Sequence, residues 1–221
     1  MKRAIILVAI LVSCFVRCTC DPDILDNERS VFTGTVLDQN DDPLPNIDVS
    51  VMVADLTIGN ATTSQSGRFE LISLTSSYPD HSVLFEPVAI DSEFSDFKLN
   101  YKNKTINQVN AIGSVSLPKK AFVEVQFRNE SGGNPTISVS AEFKIAECII
   151  DNDDTVEIDF SNCFITDRYS NQFTPSTALS SIEFVAVKGT LAELTYRIDD
   201  NDPITEVIPL NQNQIVYEVV F

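Results

Sequence analysis

Between two turns rich in proline, aspartate and glycine, Ile47, Val49, Val51 and Val53 alternate with Asp48, Ser50 and Met52. A period of two puts each set on its own face of an extended strand, so one face is buried and the other wet. The alternation returns in Val123, Val125 and Phe127, in Ile137, Val139 and Ala141, and in Val156, Ile158 and Phe160. It returns again in Ala192, Leu194, Tyr196 and Ile198, and in Ile215, Tyr217, Val219 and Phe221. No stretch past residue 13 sustains a helical period. The chain is predicted to be all-β.

Around the first alternating run the turn chemistry is specific. Residues 31–38 form an extended β-branched run, and the turn Gln39-Asn40-Asp41-Asp42-Pro43-Leu44-Pro45-Asn46 follows. Pro43 and Pro45 each lack a backbone donor, so the ladder breaks there. Gly67, after Ser64-Gln65-Ser66, suits a turn that needs a positive φ, and Phe69 and Leu71 then resume an inward face. Gly34, Val36, Asp38, Pro43, Leu44, Val49, Val51, Thr63, Gly67 and Phe69 together resemble the signature of the carboxypeptidase regulatory-like domain, a transthyretin-like (prealbumin-like) module. Ser64 stands where that family usually has aspartate, and a serine hydroxyl can also accept a turn hydrogen bond. The resemblance implies a β-sandwich over residues 31–118 with Gly34, Asp38, Pro43, Gly67 and Phe69 as fold-determining positions. It implies no peptidase activity, because in that family the metal-binding catalytic domain is separate.

Further strands are predicted over residues 82–86, 94–101 and 106–117, a count that suits a sandwich. Pro118-Lys119-Lys120 is the predicted domain boundary. Residues 119–221 read as a second β-sandwich, immunoglobulin-like in general architecture, with Lys188-Gly189-Thr190 as a hairpin turn. The halves share no sequence repeat. Residues 21–30 are polar and acidic and read as a tether.

Residues 1–20 read as a targeting segment. Lys2 and Arg3 precede an apolar run far shorter than the roughly 20 residues that span a bilayer. Leu11-Val12-Ser13-Cys14 resembles a bacterial lipobox, with Cys14 as the lipidated residue. The alternative is an ordinary secretory signal cut near Cys20. The first reading anchors the protein to the outer membrane of the cell envelope and resembles short lipoproteins of Bacteroidetes type. The second makes it secreted or periplasmic. Either compartment permits disulfides, and Cys148 and Cys163 are candidate partners, with two buried free thiols as the alternative.

A net charge of −17 argues against a nucleic-acid partner, which demands basic patches. No zinc spacing occurs, and no cofactor is expected. Calcium is the weak exception. The acidic turns at residues 38–42, 151–154 and 199–202 supply carboxylates, with Asp151, Asp153, Asp199 and Asp202 as candidate ligands. The plainer reading is that aspartate and asparagine favour turns.

Nucleophilic catalysis needs a base, and the single histidine, His81, reads as a surface loop residue. No nucleophile elbow, phosphate loop or zincin motif is present. The expected function is non-catalytic: an envelope lipoprotein acting as a binding or assembly module toward an envelope protein or glycan. Tryptophan is absent, but Tyr78 and Tyr169 read as loop aromatics that a sugar could use. The alternative is a fimbrial or adhesin-like subunit that exchanges its last strand, residues 215–221. A hydrolase role is remote.

Overall fold

The computed structural model describes residues 24–130, 132–151, 163–174 and 179–221. The targeting segment with Cys14, the strand expected near Val156, and Asp153 lie outside the described residues. Within them the protein is all-β, with fourteen strands.

The first seven strands are β1 (Ile24–Leu37), β2 (Ile47–Val53), β3 (Leu56–Thr62), β4 (Arg68–Ser76), β5 (His81–Pro87), β6 (Phe97–Lys102) and β7 (Val109–Ser116). β1 lies between β4, antiparallel, and β7, parallel. Opposite them, β3, β2, β5 and β6 run side by side, all antiparallel. β2 and β3 join through Ala54 and Asp55, at φ 46° and 65°. Two positive φ values in a two-residue loop match the twist of a hairpin. The tether expectation is corrected here. β1 starts at Ile24, which pairs with Ser76, and Arg29 pairs with Leu74, so residues 24–30 belong to a strand. Asn27, at φ 60°, and the register shift between Ile24 and Arg29 break the alternation that would have revealed it.

The second seven are β8 (Lys120–Arg128), β9 (Ile137–Asp151), β10 (Phe164–Phe173), β11 (Leu179–Val187), β12 (Leu191–Ile198), β13 (Ile204–Pro209) and β14 (Gln214–Val220). β8 lies between β11, antiparallel, and β14, parallel, as β1 lies between β4 and β7. β9 pairs with β10 and β12, and β12 with β13, as β2 pairs with β3 and β5, and β5 with β6. The connectivity of the first unit is therefore repeated strand for strand. This corrects the immunoglobulin-like expectation. An immunoglobulin sheet pairs its first strand with its second, whereas β8 has no ladder with β9. The expected hairpin at Lys188-Gly189-Thr190 is also corrected: β11 and β12 lie in different sheets, and this turn is the corner between them.

β9 links the two units on either side of the expected boundary at residue 118. Its first part pairs with β12 on one side and β10 on the other; past Ala146 its partner becomes β6. One sheet, in the order β13-β12-β9-β6-β5-β2-β3, thus runs through both units. Each three-stranded sheet covers part of it over its own core. Phe32, Leu71, Val83, Phe85 and Leu99 belong to the first core, and Val125, Phe127, Ile137, Leu194 and Leu210 to the second. β9 serves both: Val139, Ala141 and Phe143 lie in the second core, and Ala146, Cys148 and Ile150 in the first. A disulfide joins Cys148 to Cys163 over a Cα–Cα distance of 4.7 Å, where β9 passes from β10 to β6.

Candidate functional site

The fold-signature residues converge on one corner of the first unit. Val36 donates to the Gly67 carbonyl at 2.8 Å, and the Val36 carbonyl accepts from Leu44 at 2.9 Å. Gly67 has φ 69°, and a Cβ there would stand 2.4 Å from the Val36 carbonyl oxygen, so a side chain fits neither the dihedral nor the space. Pro43 bridges to Leu37. Asp38 closes the turn: its carboxylate accepts from the Asn40 and Asp42 amides at 2.7 and 2.9 Å. Those bonds, the Asp42 amide first, hold its pKa below the ordinary carboxylate value. Asp38 is thus committed to its own turn.

The other acidic turns do not pool their ligands. Asp199 accepts from the Thr136 amide at 2.7 Å, beside the start of β9, while Asp151 ends that strand. At about 3.3 Å per residue, β9 holds the two roughly 45 Å apart. Asp202 is exposed in the turn after Asp199. Among the described residues no group of three or more His, Cys, Asp or Glu is placed to hold a metal ion.

His81 is the clearest correction. It is 5% exposed, on the inward side of β5 with Val83 and Phe85. Its ring stacks on Tyr101 at 4.7 Å and meets Phe32 edge-on at 6.2 Å. Nδ1 lies 3.0 Å from the Lys104 carbonyl oxygen. Burial lowers the His81 pKa to about 4, so at neutral pH the ring is uncharged and Nδ1–H donates to that carbonyl. Burial also pushes Tyr101 up to about 12. Continuing the Val83–Phe85 parity back by two residues would have put His81 inside.

Outside this core, the opposite faces of β5, β6 and β9 carry Ser82, Asn100 and Glu147. The Ser82 hydroxyl donates to Asn100 Oδ1 at 2.6 Å, and Asn100 Nδ2 donates to Glu147 Oε1. This polar chain crosses from the first unit onto β9. Asn100 is only 8% exposed, so both ends of its amide are held in fixed directions. A cleft of about 260 Å³ opens beside it, lined by Met52, Asp55, Tyr78, Asp80, Lys98 and Asn100 among others. Asp80 accepts from the Asn103 amide at 2.9 Å and pairs with Lys102 at 3.1 Å. These two interactions, the amide first, lower its pKa. Tyr78 stands at the rim, 43% exposed. Of the two predicted loop aromatics, Tyr78 reaches this cleft, whereas Tyr169 sits within β10 opposite Ala141. Farther along the same sheet face, Glu86 faces Asp48 across the ladder. Partial burial, with Asp96 and Asp48 nearby, raises its pKa.

No family model matches the chain, and no curated protein matches it. Among solved structures, the Bacillus anthracis TIE protein is similar over 88% of this chain at 11% identity, with a TM-score of 0.34. The streptococcal ancillary pilin aligns over 89% at 10% identity and TM-score 0.30, and a putative carbohydrate binding protein from Bacteroides uniformis over 86% at 13% and 0.30. The aligned region spans 34% of the Bacillus protein, 63% of the pilin and 100% of the Bacteroides protein. At such scores none of these likenesses assigns a family or a function.

Proposed function

We propose that the protein is a non-catalytic cell-envelope lipoprotein, held to the membrane by lipid on Cys14, that works as a binding module. Its ligand site is the cleft over β2, β5 and β6, and its ligand is a hydroxyl-rich molecule such as a glycan. The observation that carries this is the Ser82–Asn100–Glu147 chain, which fixes polar groups beside an exposed tyrosine. Fixed donors and acceptors with one aromatic surface suit a sugar's hydroxyls and its apolar ring face. His81 borders the cleft but is 5% exposed and uncharged, with Nδ1 bonded to the Lys104 carbonyl, which supports a role without acid–base catalysis. The strand-exchange alternative is less favoured. β14 fills the place beside β8 along its whole length, and its Val219 is 4% exposed.

Titration of the isotope-labelled protein with mono- and oligosaccharides tests the site. The amides of residues 78–82 and 98–102 are expected to shift, and Tyr78→Ala to weaken the response. Shifts absent from this region at millimolar sugar would refute the site. Lipid labelling lost in Cys14→Ala supports the anchor, and unchanged labelling refutes it.

A further inference from the structure

The last strand of each unit forms the rim of a three-stranded sheet, and the two rims differ. β7 is offset by a register shift against β1 between Thr33 and Gly34. β14 runs in unbroken register along β8, from Gln214 opposite Phe122 to Val220 opposite Arg128. It contains no proline, glycine, lysine or arginine, and its one charge, Glu218, pairs with Arg128. Exposed edges are normally blunted by bulges, prolines or lysines. β14 carries none of these.

Its hydrogen bonding is directional. The Asn213 carbonyl accepts from Phe122, Phe221 donates to the Arg128 carbonyl, and the Phe221 carbonyl accepts from Glu130. The odd-numbered residues therefore bond to β8. In a parallel ladder the alternate residues face the other way. The N–H and C=O groups of Gln214, Val216, Glu218 and Val220 thus point to the open side, with no backbone partner among the described residues.

Beside this edge a groove of about 760 Å³ lies over the outer face of β8 and β11. Phe122, Val185 and Val216 line it, and Ile90, 96% exposed, stands over it. Its charged lining residues are Asp91, Glu124 and Glu183, with no base among them. Lys120 lies over the Phe122 ring, 5.0 Å from its centroid, and is not among the lining residues.

We propose that the β14 edge accepts an added strand from a partner protein, an extended segment with alternating apolar and basic side chains. The open amides and carbonyls of β14 supply the main-chain bonds of strand addition. Alternate side chains of an added strand face opposite sides of the sheet. Its lysines or arginines lie on the groove side, toward the carboxylates there, and its apolar set lies on the core side beside the partly buried Ile215, Tyr217 and Phe221. A second copy of the chain is the poorer occupant, because each copy carries a net charge of −17.

The test uses the purified chain and a fluorescent synthetic peptide of alternating valine and lysine, with binding read by anisotropy. Val216→Pro removes a donor that faces the open side and leaves the β8 ladder intact. It is expected to weaken binding about tenfold or more at an unchanged melting temperature. Independently of any variant, the peptide with alternate amides N-methylated, or with glutamate in place of lysine, is expected to lose binding to a similar degree. Equal binding by Val216→Pro, by the methylated peptide or by the glutamate peptide overturns the proposal. So does a dimer of the chain in sedimentation that Val216→Pro abolishes, which would assign the edge to a second copy.

Discussion

The ring of Phe69 lies over the bare Cα of Gly34, its antiparallel partner across the β1–β4 ladder. A Cβ at position 34 would come within 2.8 Å of two ring carbons and of the Gly113 carbonyl oxygen. The glycine and the aromatic of the signature are thus two halves of one contact, and each explains the other's residue type.

Gly34→Ala is accordingly expected to cost about 2 kcal/mol, the range for overpacking a core. Phe69→Leu added to it is expected to recover part of that cost, so the double mutant is less destabilised than the sum. Urea denaturation of the four proteins reads both numbers. A loss below about 0.5 kcal/mol for Gly34→Ala, the scale of an ordinary surface change, would contradict the close approach.

His81 makes stability depend on pH. Its pKa is about 4 in the folded protein, against an ordinary value of 6.5. Between these values the unfolded chain binds the proton and the folded one does not. Stability is therefore full above pH 6.5, falls as the pH drops toward 4, and changes no further below that. The loss is on the order of 3 kcal/mol. His81→Phe keeps the stack on Tyr101 and is expected to flatten this part of the profile, at a constant penalty for the unpaired Lys104 carbonyl. A wild-type urea midpoint that does not move between pH 7 and pH 4 would be inconsistent with a buried neutral imidazole.

Glu86 works in the opposite direction. Its pKa is raised, so the folded protein holds the proton more tightly than the unfolded chain. Its contribution is most favourable when it is protonated and is lost as the pH rises through its folded pKa. Glu86→Gln removes the repulsion from Asp48 and Asp96, and is expected to raise the midpoint at pH 7 and leave it nearly unchanged at pH 3. A lower midpoint at pH 7 would show that the carboxylate makes a favourable contact.

The Cys148–Cys163 bridge spans a sequence separation of 15. Closing a loop of that length stabilises by about 3 kcal/mol. For a chain of this size the Cys148→Ala/Cys163→Ala pair is expected to lower the melting temperature by roughly 6–12 °C. The wild type under reducing conditions is expected to shift likewise. Equal melting temperatures for oxidised and reduced wild type would show that the bridge constrains nothing.

Alternation identified most of the strands in the sequence, because a half-buried strand writes its two faces into every second residue. It said which face is buried and nothing about which strand lies alongside. That is why β11 and β12, joined by Lys188-Gly189-Thr190, read as a hairpin although each pairs elsewhere. It is also why β9 read as a strand of the second half only: its inward parity switches between Phe143 and Ala146, and the residues on either side face different cores. The turn residues around Val36 were legible because Gly67 and Pro43 have few other uses. The cleft was not, because Ser82, Asn100 and Glu147 are ordinary outward residues until register aligns them. The likeness of the two units lies wholly in strand pairing, and different residues can fill the same connectivity.

The sharing of β9 between two cores has a consequence for biosynthesis. A chain emerging from the ribosome exposes all seven strands of its first unit long before Ala146, Cys148 and Ile150 are made. The open edge of β6 waits, uncovered, for partners that lie 49 residues later in the chain, as Leu99 does for Cys148, by way of another unit. Closing the first layer and starting the second are thus a single event, and a product that stops near residue 118 would remain an open sheet.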